Sequence, residues 1–167
     1  MIKVDLRKLK NSVFIYPTDT IYGIGCDARK GKLVKRIRRI KERDKKPFSV
    51  IAPSKKWILD NCKADRKLLK KLPGPYTLIF DLKKEAVAKE VSSGSLGVRI
   101  PRHWISSIVK KLGFPIVTTS VNITGKKPMN NLEDFKKLKV DFILYEGVKK
   151  GKPSTVIDGR SKKILRR

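Results

Sequence analysis

One histidine and two cysteines occur in 167 residues. A site that needs several histidines, such as a tri-histidine metal centre, therefore cannot be built from this chain alone. Cys26 and Cys62 lie far apart and make no Cys-x-x-Cys pair, which removes the familiar zinc spacings and leaves both as small buried apolar side chains. A disulfide between them would suit a reducing cytosol poorly. No apolar run approaches the roughly 18 residues that a membrane-spanning helix needs. The start of the sequence has no cleavable signal pattern: its apolar run, Val13-Phe14-Ile15-Tyr16, is short and soon reaches Asp19. These absences predict a cytoplasmic chain with no membrane partner. No Gly-x-x-x-x-Gly-Lys loop occurs either, so any ATP used here has its phosphates held in another way. Acidic residues are scarce as well, with 15 Asp plus Glu against 42 Lys plus Arg, a net charge of +27.

Hydrophobic residues make up 40% and charged residues 34% of the chain, which predicts one soluble globular domain over residues 1–167 with a real core. The cationic excess points to polyanionic partners: nucleic acid, nucleotide phosphates or an anionic surface. Strands are expected at Val13–Tyr16, in the glycine-rich stretch 20–28, and at Phe48–Ala52, Tyr76–Leu82, Leu96–Ile100, Pro115–Val121, Phe142–Tyr145, Thr155–Ile157 and Ile164–Leu165. Helices are expected over Gly31–Glu42, after an N-cap at Ser54, over Asp65–Leu72, over Trp104–Leu112 with Gly113 as its cap, and over Leu132–Leu138. Strand-helix-strand units followed by hairpin-like pieces predict an α/β fold on a sheet of mixed direction.

Four stretches carry chemistry. Gly23-Ile24-Gly25-Cys26-Asp27-Ala28 matches Gly-x-Gly-x-x-Ala. A dinucleotide fingerprint would need its acid at the end of the second strand, and Glu42 and Asp44 instead end a helix. Lys41-Glu42-Arg43-Asp44-Lys45-Lys46-Pro47 places Lys41, Arg43 and Lys46 between a helix and a strand, where they converge on a triphosphate or form an ordinary solvated face. Thr118 to Gly125 holds four hydroxyls and one amide within seven residues at a strand end, more than one turn requires. Tyr16-Pro17-Thr18-Asp19-Thr20 leaves another apolar strand. Arg99, within a strand and beside Pro101, needs an anionic partner if it points inward. His103 is expected at the surface or at a helix start.

Together these segments are not generic. YPTDTIYGIG, KERDKKP, PGPYTLIF, GVRIP, TTSVNITGKKP and PSTVID resemble, in order and spacing, the pattern of the YrdC family, from about Val13 to Arg166. The resemblance implies a twisted open mixed sheet flanked by helices, with a basic concave cavity. It implies formation of L-threonylcarbamoyl-adenylate from L-threonine, bicarbonate and ATP with loss of pyrophosphate, the activated group then passing through a separate transfer complex to an adenosine of tRNA. By motif it implies catalytic roles for Lys41 and Arg43 at the ATP phosphates. Lys46, Ser95, Ser120, Asn122, Asn130 and Arg166 become further ATP contacts, and Thr20, Arg99, Thr119, Ser120 and Ser154 threonine contacts. Magnesium is expected with the ATP, with no dedicated protein site for it and no tightly bound organic cofactor.

The chain departs from the pattern at Asp44, where many relatives have proline after the arginine, and at Ile51, where several have histidine. It resembles the short, single-domain form. The rival reading is a module that grips tRNA or double-stranded RNA without catalysis, which the net charge favours. Backbone binding needs only Lys and Arg, however, and leaves the hydroxyl-rich runs without a purpose. A third reading, carbamoyl transfer to another acceptor, is separated from the first by substrate screening.

Overall fold

The computed structural model describes residues 4–166. Its strands, in chain order, are β1 (Phe14–Tyr16), β2 (Gly23–Gly25), β3 (Ser49–Ile51), β4 (Tyr76–Asp81), β5 (Ser95–Arg99), β6 (Ile116–Ser120), β7 (Phe142–Ile143), β8 (Thr155–Asp158) and β9 (Ile164–Arg166). The helices are α1 (Leu6–Leu9), α2 (Gly31–Lys41), α3 (Lys55–Asn61), α4 (Arg66–Leu69), α5 (Trp104–Leu112) and α6 (Leu132–Lys136). The strands form one open sheet in the order β7-β1-β2-β6-β3-β5-β4-β8-β9. The β1/β7, β3/β5 and β4/β8 pairs are parallel and the others antiparallel, the mixed direction that the element order predicts.

Local chemistry sets the helix ends. Ser54 accepts from the Trp57 amide to start α3, and Asp65 accepts from Lys67 and Leu68 to start α4. His103 is the N-cap of α5, and Gly113 closes that helix in the left-handed region at φ 75°. Two helices differ from expectation. α1, capped by Asp5, is too short for a periodic signal. The helix expected over Asp65–Leu72 stops at Leu69, because Lys71 and Leu72 bond three residues back and tighten the chain before Pro73.

Side-chain alternation divides the core. Ile15, Ile24, Val50, Leu78, Val98 and Val117 face one way and bury Val34, Ile37, Ile58 and Leu69 of α2, α3 and α4. Their neighbours Phe14, Tyr16, Ile51 and Ile116 face the other way, under Ile105 and Val109 of α5 and Leu9 of α1. Along that second face the pattern turns polar: Ser49, Thr77, Arg99, Thr118 and Ser120 replace aliphatic residues and border open space. Gly97 belongs to this polar floor, and a Cβ there would lie 2.3 Å from Ser49 Oγ. The bare backbone keeps the floor low.

The end of α2 aims the chain at this space. Arg43 N–H bonds Arg38 O at 3.0 Å and Glu42 N–H bonds Arg39 O at 3.2 Å, the paired closure of a Schellman turn. Glu42 takes the left-handed position at φ 50°, a conformation that glycine adopts without the Cβ clash. Glu42→Gly is therefore expected to raise the unfolding free energy by about 1 kcal/mol, the lower part of that steric cost. Urea denaturation measures it, and an unchanged or lower midpoint would rule out strain at this turn.

Candidate active site

The open polar part of the sheet forms a cavity of about 340 Å³. Arg43, Arg99, Arg166, Thr119, Ser120, Asn122 and Ser154 line it, together with Thr18, Ser49, Thr77 and the rings of Tyr22 and Phe48. Seven strands or adjoining segments thus deliver polar groups to one place. The cavity meets the carboxyl ends of β5 and β6, at Arg99 and Ser120, and the residues just before β8, Pro153 and Ser154.

Arg99 is 5% exposed and carries the anion that its burial demands. Its NH2 lies 2.7 Å from Asp19 Oδ1, while Asp19 Oδ2 accepts the Arg102 amide at 2.8 Å. Burial pushes the Arg99 pKa below the ordinary arginine value and Asp19 opposes that shift. Thr20 stands behind the guanidinium, its hydroxyl 3.3 Å from NH2 and 3.0 Å from the Thr18 hydroxyl. Arg99 Nε is buried and has no acceptor among the described residues. Across the cavity, the Ser154 and Thr77 hydroxyls pair at 2.7 Å, and Arg166 reaches the Ser154 carbonyl at 3.3 Å.

Lys41 is 1% exposed and does not line the cavity. Its Nζ donates to the Ser120 carbonyl, to the Asn122 carbonyl at 3.1 Å and to Asn122 Oδ1 at 2.7 Å. Ser120 Oγ donates to the same Oδ1 at 2.7 Å, and Asn122 Nδ2 donates to Lys126 O at 2.7 Å. The ammonium thus fixes the Ser120–Asn122 corner from beneath. Burial, with Arg43 adding to it, lowers the Lys41 pKa from 10.5 to about 8. Arg43, by contrast, does reach the cavity, and burial with Arg38 and Arg166 nearby also lowers its pKa.

Three expected contacts lie elsewhere. Lys46 is exposed, and only its carbonyl is engaged, by Arg38 and Arg43. Ser95 opens β5, about 13 Å along the strand from Arg99. Asn130 donates to Lys149 O at 3.1 Å and is absent from the lining. Thr20 is absent from the lining and touches two residues that belong to it, Arg99 and Thr18. Ile51, the position of histidine in several relatives, is buried under α5 on the apolar side. Asp19, Ser49 and Thr77 were not singled out by the sequence. Asp19 was legible as the acid inside Pro-Thr-Asp-Thr once Arg99 required one, and Ser49 and Thr77 as polar residues where an apolar alternation breaks.

Among the described residues no three His, Cys, Asp or Glu side chains gather as a metal site. No helix there is long and apolar enough to cross a membrane. The cavity's hydroxyls, amide and guanidiniums offer donors to anions and few acceptors to a cation.

A family model described as Sua5/YciO/YrdC, telomere recombination, matches residues 8–167. The chain belongs to the Sua5/YciO/YrdC family. A protein of Methanocaldococcus jannaschii named "Putative threonylcarbamoyl-AMP synthase" is 35% identical over an alignment covering 94% of this chain and 79% of that protein. E. coli YciO superposes with a TM-score of 0.81 at 27% identity, covering 97% of this chain and 84% of YciO. P. abyssi Sua5, in a crystal structure with L-threonine, superposes with a TM-score of 0.80 at 27% identity. That match covers 94% of this chain and 52% of Sua5, so the chain spans about half of that family member. The resemblance read from the six motifs is thus shown, and so is the family's open mixed α/β sheet.

Two outcomes are expected from this geometry. Asp19→Ala strands a buried guanidinium and should lower stability by about 3–5 kcal/mol; adding Arg99→Met should recover part of the loss in urea denaturation, and no recovery would dissolve the pairing argument. A titration of Lys41 Nζ followed by NMR should have its midpoint near 8. Since the unfolded lysine holds its proton up to about 10.5, this group makes the protein more stable as pH rises from about 8 to 10.5, with its full penalty present below that window. A midpoint at the ordinary lysine value would show that the ammonium is hydrated.

Proposed function

We propose that this chain makes L-threonylcarbamoyl-adenylate from L-threonine, bicarbonate and ATP, releasing pyrophosphate, for the threonylcarbamoyladenosine modification of tRNA. The observation that carries the reading is the meeting of Arg43, Arg99, Arg166, Ser120, Asn122 and Ser154 at one cavity, from segments over a hundred residues apart. The names of the relatives support it: a threonylcarbamoyl-AMP synthase in one case and a threonine complex in another.

The chemistry asks for positioning more than for a nucleophile. The threonine amine forms a bond to the carbon of bicarbonate, with loss of water, giving a carbamate. A carbamate oxygen then attacks the α-phosphorus of ATP, the bond to the β-phosphate oxygen breaks and pyrophosphate leaves. Three anionic groups, the triphosphate, the carbamate and the threonine carboxylate, must therefore share one small space. Arg43 and Arg166 offset the triphosphate charge, and Ser120 and Asn122 orient it from the corner that Lys41 holds. Arg99 takes the threonine carboxylate, which supplies an acceptor for a guanidinium whose Nε has none within the protein. Ser154 borders that amino acid, and Thr20 steadies the guanidinium from behind. Magnesium would come with the ATP substrate rather than from a protein site, a reading that the donor-rich, acceptor-poor lining supports. Orientation alone contributes roughly 7–11 kcal/mol in such reactions, and fixed guanidiniums stabilise the charge that develops in the transfer.

The test is mass spectrometry of protein mixed with ATP, magnesium, bicarbonate and threonine. The mixed anhydride should appear, with pyrophosphate release that requires threonine. Arg43→Ala should lower that release by roughly 10²-fold with the fold kept, and Lys41→Ala should also lower it by releasing the Ser120–Asn122 corner. Tight RNA binding without any release would favour the binding-module reading. Full turnover in both variants would remove these residues from the mechanism.

A further inference from the structure

Arg38 belongs to none of the six motifs and does not line the cavity. It stands on α2, one turn before Lys41, and its guanidinium is saturated by main-chain oxygens. Nε and NH2 donate to Glu90 O at 3.0 and 2.6 Å. NH1 faces the carbonyls of Asp44 and Lys46, each at 3.0 Å, with Arg43 O at 3.4 Å. The same group lies 4.3 Å over the centroid of Phe48, whose ring also carries Arg43 at 4.8 Å. Arg43 in turn donates to Lys46 O at 3.3 Å and to Pro47 O at 2.6 Å. The loop from 43 to 47 is thus moulded with its carbonyls turned toward one guanidinium, and that loop decides where Arg43 stands at the cavity.

We propose that Arg38 is a positioning residue for nucleotide binding, acting through the backbone of residues 43–47 and through Phe48. The proposal rests on the reading of the cavity as an ATP site. It explains how the Arg43, Asp44 and Lys46 carbonyls converge on one point outside the loop, while Arg43 itself reaches only Lys46 O and Pro47 O. Lysine cannot take the place of arginine here. An ammonium is a point charge that cannot span the Asp44, Lys46 and Glu90 carbonyls together, and it has no flat face for the ring.

The experiment compares the wild-type chain with Arg38→Lys, Arg38→Gln, Arg43→Ala and the Arg38→Lys/Arg43→Ala double variant. Arg38→Lys should raise the KM for ATP roughly tenfold, on the scale of one lost charge-assisted hydrogen bond, leaving kcat and the KM for threonine within about twofold. The double variant should be little worse than Arg43→Ala, because both act through one group. A wild-type ATP KM in Arg38→Lys, or effects that multiply in the double variant, would overturn the proposal. Amide hydrogen exchange gives an independent readout that needs no substrate. Residues 43–48 should exchange faster in Arg38→Lys and in Arg38→Gln while β3, β5 and β6 stay protected, and unchanged exchange would overturn the proposal even if the enzyme proved to use another nucleotide. Failure of the wild-type chain to bind magnesium–ATP would instead sink the ATP reading of the cavity and with it the assignment of Arg38 to nucleotide binding.

Discussion

The cations at the end of α2 and in the loop that follows it are held by carbonyl oxygens rather than by carboxylates, and the site depends on that arrangement. A chain with 42 basic and 15 acidic residues cannot give every cation an acid. Lys41 is met by two carbonyls and an amide oxygen, Arg38 by four carbonyls, and Arg43 by two. Carbonyl dipoles orient a cation without cancelling its charge, so its field still reaches a neighbouring anion. A carboxylate in the same place would quench it. Arg99 is the exception, with Asp19 at 2.7 Å. This acid also binds the Arg102 amide, so it ties the strand end to the Pro-Thr-Asp-Thr turn as well as balancing charge.

The sheet supplies the second half of the design. One face is covered along its length by α2, α3 and α4, whereas α5 covers only part of the other. Where α5 ends, the same side-chain row passes from Ile51 and Ile116 to Ser49, Thr118 and Ser120. A covered hydrophobic surface and an uncovered polar one are therefore continuous along single strands. That gives the cavity a rigid floor with no loop needed to build it.

Much of this was legible in the sequence, for identifiable reasons. The α5 boundaries follow from periodicity and from Gly113, and the order of strands and helices follows from apolar runs broken by proline and glycine. Arg99 declared its need for an acid because burying a lone charge is prohibitive. Motif carry-over named residues by position along the chain, which does not say which way each side chain turns or which end of a strand borders the cavity. Lys41 points beneath the floor, Ser95 stands at the far end of β5, and Lys46 faces out with only its carbonyl used. Arg38 left no trace in the sequence, since a guanidinium that serves main-chain oxygens looks like any other basic residue on a helix.

The order of the strands carries a kinetic consequence. β1 lies beside β7, and the contact from the Val13 amide to Asp141 closes a separation of 128 residues. β2 likewise waits for β6, and β4 for β8. Each pairing must be reached by closing a long stretch of chain before its bonds repay the lost entropy, so such a topology folds more slowly than a helical bundle. Because Arg43, Arg99, Ser120 and Ser154 arrive on elements joined only by these distant pairings, no short fragment of the polypeptide contains a working pocket, and ligand capture begins only when the slowest stage of assembly is over.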